Sequence, residues 1–225
     1  MEARRRLKAV RRVSRDLVAN VRRVGVRAAV DATLRDLYCR ELDLVLVKDL
    51  DGEHPGDGDG APPRGALQIE RIGPEHAREL SRLWTEEHPL RTGEPGVLDN
   101  VDRGYDGFLI RRDGEAIGYF WWVAGPAAAA HPDARIFRID LRDGDVYGFS
   151  NLIARDRRGG GVAIDALKAV EAELAQLGYR RLWGFVDFAN TPARWLYAVS
   201  GWQLSHTVRR IRVLGIHRGV VVARA

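Results

Sequence analysis

The chain has 225 residues, 36 Lys+Arg against 31 Asp+Glu, and 45% hydrophobic residues, enough for one large domain or one domain plus an extension. A single cysteine, Cys39, excludes an internal disulfide and a thiolate zinc cluster, and a reducing compartment is the simplest setting. The longest uncharged run, residues 118–130, is broken by Gly125 and Pro126 and is too short for a membrane span. The basic N-terminus also lacks the apolar stretch of a signal peptide, so the expectation is a soluble, cytoplasmic protein.

Residues 1–40 hold 12 Lys+Arg and 4 Asp+Glu, so the positive excess belongs to this segment. Leu7, Val10, Val13, Leu17, Val21 and Val24 recur at spacings of three and four, which predicts helix over 2–38 with a break near Gly25. "LDLVLVK" (42–48) reads as a strand able to add to a sheet edge. Residues 49–65, rich in Gly, Pro and Asp, read as a loop or linker. The expected organisation is therefore a basic helical extension plus short strand (1–48), that loop, and a main domain over 66–225.

In the main domain "ALQIERI" is a strand and "PEHARELSRLWTEEH" a helix with Pro74 near its start. "GVLDNVDRGY" suits a short helix. Two β-rich runs flank Asp113-Gly114 and predict a hairpin. "ARIFRIDLRDGDVYGFSNLIA" is expected to supply two more strands. A helix over 162–177 stops at Gly178, a natural C-cap. A strand, a helix over 191–200 ended by Gly201, and a closing strand follow. The order β-α-β-β, then β-α-β-α-β, predicts a mixed α/β domain, antiparallel in its first half, with one βαβ crossover.

That crossover opens on "RRGGGVA" (157–163). The P-loop pattern fails because no Lys follows the glycines in register. A dinucleotide fingerprint fails at Ile164. Leu152 replaces the second Gly of a nucleophile elbow in "GFSNL". No H-E-x-x-H occurs, and no metal is expected. What remains is R-x-x-G-x-A between a strand and a helix. The first turn of a helix offers unpaired N–H groups and a positive dipole end. Glycines let the backbone approach an anion closely, which suits a pyrophosphate.

Arg158-Gly159-Gly160-Gly161-Val162-Ala163 resembles the acyl-CoA-binding motif of the GCN5-related N-acetyltransferase (GNAT) superfamily. Downstream, Asn190 to Tyr197 fits N-x-x-A-x-x-x-Y, and Gly201-Trp202 stands where the superfamily has Gly-Phe. The resemblance covers residues 66 to about 215. It implies a GNAT-like, mostly antiparallel mixed sheet flanked by helices, and transfer of an acyl group, acetyl first among them, from CoA to a small-molecule amine. It implies donor contacts from Leu152, Ile153 and Ala154 of the strand, from Arg157 or Arg158 and Gly159 to Ala163 of the loop, and from Asn190 and Ala193. Asn190 would either bond the pantetheine or link the strand to the next helix.

For the chemistry, the Leu152 N–H is the candidate for polarising the thioester carbonyl. Tyr197 is the candidate acid for the departing thiolate, with ring packing in the core as the alternative. Some superfamily members carry a Glu eleven residues before the loop motif, where this chain has Tyr147. Asp145, two residues earlier, is then a candidate base or only a turn residue. Glu86, Glu87 and His88 are weaker candidates for acceptor contacts. One of Trp121 and Trp122 can wall the acceptor site while the other packs inside, and Trp84 and Trp195 are expected in the core. The competing classes are a non-catalytic acyl-CoA sensor and a transferase fed by an acyl carrier protein. The basic N-terminus suits an acidic partner such as that carrier, or self-association. Nucleic-acid binding is not expected of the main domain.

Overall fold

The computed structural model describes residues 38–51, 67–87, 100, 103–213 and 216–224. The expected N-terminal helices, the 52–65 loop, His88 and most of the short helix before Tyr105 lie outside the described residues.

Eight strands form one sheet. They are β1 (Tyr38–Asp49), β2 (Leu67–Arg71), β3 (Asp106–Arg112), β4 (Glu115–Ala124), β5 (Asp145–Ile153), β6 (Arg181–Asp187), β7 (Gln203–Val213) and β8 (Ile216–Arg224), in the order β2-β3-β4-β5-β6-β1-β7-β8. Every neighbouring pair is antiparallel except β5 with β6. The fold is thus mixed α/β and mostly antiparallel, as expected.

The expected edge strand is instead internal. β1 lies between β6 and β7. Leu44 and Leu46 pack into the core on one face, while Val45 joins Phe137 and Val208 on the other. A strand apolar on both faces suits a sheet covered on both, and β6 and β7 pair with its two edges. Its acidic Asp43, wholly buried, is held by Arg210 of β7 at 3.0 and 3.3 Å.

The β3–β4 turn has Asp113 at φ 53° and Gly114 at φ 79°, the two positive values that a tight hairpin needs. Between β4 and β5 the expectation of two strands fails for the first. Residues 125–136 form two short helices, α2 (Gly125–Ala130) and α3 (Pro132–Ile136), and only β5 follows. Each helix has proline in its first turn, where the missing N–H costs nothing. The strand β8 adds a last hairpin beyond the expected order.

Helices cover both faces. α4 (Val162–Gln176) and α5 (Thr191–Val199) pack Leu167, Val170, Leu174 and Tyr197 against Phe120, Trp122, Val146 and Leu182. α1 (Ala77–Glu87) packs Leu80 and Leu83 beneath Leu109, Tyr119 and Trp121 on the other face. Side chains as fully buried as Leu174 and Leu182 each contribute roughly 1.5–3 kcal/mol. Trp121 and Trp122 do face opposite sides, but both are 1% exposed, so neither walls an open site. Trp84 is partly buried. Trp195, expected in the core, is 60% exposed on the outer face of α5.

Candidate active site

β5 and β6 pair at only three positions, Asp145 with Arg181, Val146 with Leu182 and Tyr147 with Trp183. Beyond them no pairing joins the two strands, and a gap opens. β6 stays anchored because β1 pairs along its whole length, from Arg181 to Asp187.

A bulge sets what β5 shows to that gap. Ser150 has φ 51°, and the register against β4 slips there, so that Trp121 faces Phe149 and Phe120 faces Asn151. One extra residue inverts the alternation downstream. Asn151 and Ile153 consequently turn to the α4/α5 side, while Leu152 and Ala154 pack with the α1 side. The backbone follows the same phase. The Ala154 N–H donates to the Ile117 carbonyl of β4 at 2.8 Å, and Leu152, opposite Tyr119, directs its amide to that same edge by the two-residue period. The Ile153 carbonyl lies on the other edge, where it accepts from Arg158 Nε at 2.7 Å. This corrects the assignment of the carbonyl-polarising donor: the Leu152 and Ala154 amides belong to the β4 ladder, and those of Asn151 and Ile153 face the gap.

At the end of the gap stands the glycine loop. Gly159, Gly160 and Gly161 have φ of 136°, 55° and 86°, a run that side-chain-bearing residues resist. The Val162 N–H closes onto Gly159 O at 3.1 Å, and the Ile164 and Asp165 N–H groups onto Gly161 O at 2.9 and 3.0 Å. The amides of Gly160, Gly161 and Ala163 have no partner among the described residues. Three free donors at the start of a 15-residue helix form a cradle for an anion. The charge expected from Arg157 is elsewhere: its guanidinium pairs with Glu115 at 2.6 Å and Asp156 at 3.2 Å. Arg158 instead reaches back to the strand.

Asn190 caps α5, its side-chain oxygen accepting from the Ala193 N–H at 3.2 Å. That bond stays within the first turn of α5, and the Asn190 backbone N–H donates to the Asp187 carbonyl at the end of β6 at 2.9 Å. Ala193 packs against the core. One turn further, Tyr197 presents its hydroxyl to Asn151, whose Nδ2 donates to it at 2.7 Å. Burial pushes the phenol up to about 12, with the Asn151 bond acting the other way and the Glu171 charge adding to the rise. A phenol oxygen that accepts from Asn151 keeps its own hydrogen free to donate. Asn151 has no signature in the sequence, because only the bulge at Ser150 aims it at Tyr197.

Asp145 is not a base for this site. Its carboxylate accepts from Arg181 Nε and Nη2 at 2.8 Å each, from Trp183 Nε1 at 3.1 Å and from the Arg142 N–H at 3.0 Å. It closes the paired end of β5 and β6, six residues from Asn151 and so about 20 Å away along an extended strand. Tyr147 stands in the core, 0% exposed, against His131 with ring centroids 5.3 Å apart. Glu86 is exposed and pairs with Arg82 at 3.4 Å. The side chains of Glu87 and His88 lie outside the described residues. Among the described residues no group of three or more His, Cys, Asp or Glu could hold a metal, and no helix is long and apolar enough to cross a membrane.

The sequence profile of the acetyltransferase (GNAT) family matches residues 70–202. Among solved structures, the chain is similar to a GCN5-related N-acetyltransferase from Sphaerobacter thermophilus, at 18% identity and TM-score 0.54, over 89% of this chain and 59% of that one. It is also similar to the GCN5-related glucosamine N-acetyltransferase region of a fungal multi-domain GH3 β-N-acetylglucosaminidase, at 17% identity and TM-score 0.55, over 83% of this chain and 22% of that one. The chain thus spans about three fifths of the length of the first and about a fifth of the second. At such identities the likeness is one of fold. No curated protein matches the sequence.

Proposed function

Because the chain belongs to the acetyltransferase (GNAT) family, we propose that it transfers an acyl group, acetyl first among them, from CoA to the amine of a small molecule by direct attack. The observation that carries this is the alignment of three free loop amides with a gap that ends at the Tyr197 hydroxyl. The loop suits the pyrophosphate of CoA. The gap suits an extended pantetheine arm, with the Ile153 amide and carbonyl as strand-like partners once Arg158 moves aside.

In the reaction the amine nitrogen attacks the thioester carbonyl, and negative charge gathers on its oxygen. The gap-facing amide of Asn151 would stabilise that charge. The carbon–sulfur bond then breaks, and the departing thiolate takes the Tyr197 proton. The amine sheds its own proton to water, since Asp145, the carboxylate proposed for that step, is engaged elsewhere.

The test is thiol release from acetyl-CoA with a panel of small amines, and with hydroxylamine, which is unprotonated at neutral pH and needs no base. Wild type is expected to release CoA faster than the uncatalysed reaction, and Tyr197→Phe to lose most of that rate while keeping donor affinity. Equal rates in the two proteins would remove Tyr197 from the mechanism.

A further inference from the structure

Resting on the reading of Tyr197 as proton donor, we propose that Glu171, Trp202 and Lys48 form a buried clamp that positions the Tyr197 hydroxyl, making β1 a working part of the site. Glu171 lies on the buried face of α4, beside Val170 and Leu174, and is 1% exposed. Its Oε1 accepts from Trp202 Nε1 at 2.7 Å. The Trp202 ring meets Tyr197 edge-on, at 4.8 Å and 63°, and the Trp202 backbone N–H donates to the Tyr197 carbonyl at 3.0 Å. Trp202 thus holds Tyr197 by both ring and backbone.

Lys48 completes the clamp from β1. Its Nζ donates to the Ser200 carbonyl at 2.9 Å, a cation at the negative end of α5. Gly201, at φ 75°, turns the chain between Ser200 and Trp202, and a Cβ there would stand 3.1 Å from Lys48 Nζ. Three elements distant in sequence therefore meet behind one tyrosine.

A carboxylate inside a helix–sheet interface is costly, and an apolar side chain would pack α4 at least as well. What Glu171 does beyond filling space is fix the Trp202 indole. Burial pushes its carboxyl up, against the pull of the Trp202 N–H and of the Lys48 and Lys168 charges. Burial raises the Tyr197 phenol first of all, with the Asn151 bond from β5 lowering it and the Glu171 charge from α4 raising it.

The experiment measures thiol release from acetyl-CoA with hydroxylamine as the probe nucleophile, and acetyl-CoA affinity by calorimetry, on the full chain. The variants are Tyr197→Phe, Trp202→Phe, Lys48→Met, Glu171→Ala and Glu171→Gln. Trp202→Phe and Glu171→Ala are expected to lower kcat about tenfold, the scale of a slightly displaced catalytic group, with acetyl-CoA affinity kept. Glu171→Gln, whose amide oxygen still accepts the indole N–H, is expected to restore most of the rate. Lys48→Met is expected to fall between. If Tyr197→Phe is slow while Trp202→Phe and Glu171→Ala are not, the clamp is overturned and the proton-donor reading stands. If Glu171→Gln is as slow as Glu171→Ala, positioning through that hydrogen bond is overturned. Should Tyr197→Phe keep full rate, both readings fall together. Trp202→Phe keeps the test open where Glu171→Ala does not fold.

Discussion

The Asn151 side chain donates to the Tyr197 hydroxyl across 2.7 Å, joining the bulged end of β5 to the last turn of α5 at the point where the sheet parts. This bond orients the phenol and leaves its proton available. Asn151→Ala is therefore expected to lower kcat about tenfold, with a small effect on acetyl-CoA affinity, since the gap-facing backbone is unchanged. Thiol-release kinetics check this, and an unchanged kcat would contradict it.

The same burial sets a pH dependence. An acid works only while protonated, and the Tyr197 phenol is pushed from 10.0 up to about 12. Its loss of activity should begin only as pH approaches that raised value. Measured kcat is thus expected to show no Tyr197-dependent fall near 10.0. An alkaline limb there would mean that the phenol is solvated during turnover.

The glycine loop gives a prediction about backbone rather than charge. At Gly160 a Cβ meets nothing within 4 Å, but φ is +55°. Space is available and conformation is the constraint. Asn tolerates this region and a β-branched residue does not. Gly160→Asn should keep acetyl-CoA binding within a few-fold, whereas Gly160→Val should lose about tenfold or more, a conformational cost of order 1–3 kcal/mol. Equal affinities by calorimetry would show that the left-handed backbone is not what makes the cradle.

The anchoring of β1 is testable through stability. Burial raises the Asp43 carboxyl, with the Arg210 hydrogen bond and charge opposing the rise. Arg210→Met strands that carboxyl in the core and is expected to cost about 3–5 kcal/mol at neutral pH. The sign follows from the raised folded-state value: the penalty grows as pH rises through it and fades as Asp43 takes up a proton. The gap in Tm between wild type and variant should therefore narrow as pH falls from neutral. A gap that widens on acidification would contradict a buried, unpaired carboxylate.

Local features were legible in the sequence. Asp113-Gly114 marks its own turn, and Gly159 to Gly161 mark a stretch that other residues would not adopt. Gly178 and Gly201 end the helices they follow, each with positive φ, and the spacing from Asn190 to Tyr197 puts a cap and a phenol on one helix. Features that depend on partners distant in the chain were not. The bulge at Ser150 reverses the phase of β5, so counting by twos from Tyr147 keeps Asn151 and Ile153 on the α1 side, where the structure turns both to the α4/α5 side. Asp145 reads as a free carboxylate only until Arg181 arrives from the next parallel strand. The interior place of β1 was half visible, since Leu44, Val45 and Leu46 are apolar whichever way they face. Trp195 shows the converse, an aromatic residue on a helix left 60% exposed.

The central claim is that the loop and gap bind an acyl-CoA. The measurement is a calorimetric titration of wild type and Gly161→Asp with acetyl-CoA and with free CoA. Gly161 has its amide free at φ 86°, so a carboxylate there both strains the loop and repels a pyrophosphate. The account predicts saturable binding of both ligands to wild type and its loss in the folded variant. Binding that survives in Gly161→Asp, or no binding of either ligand to wild type, would contradict it.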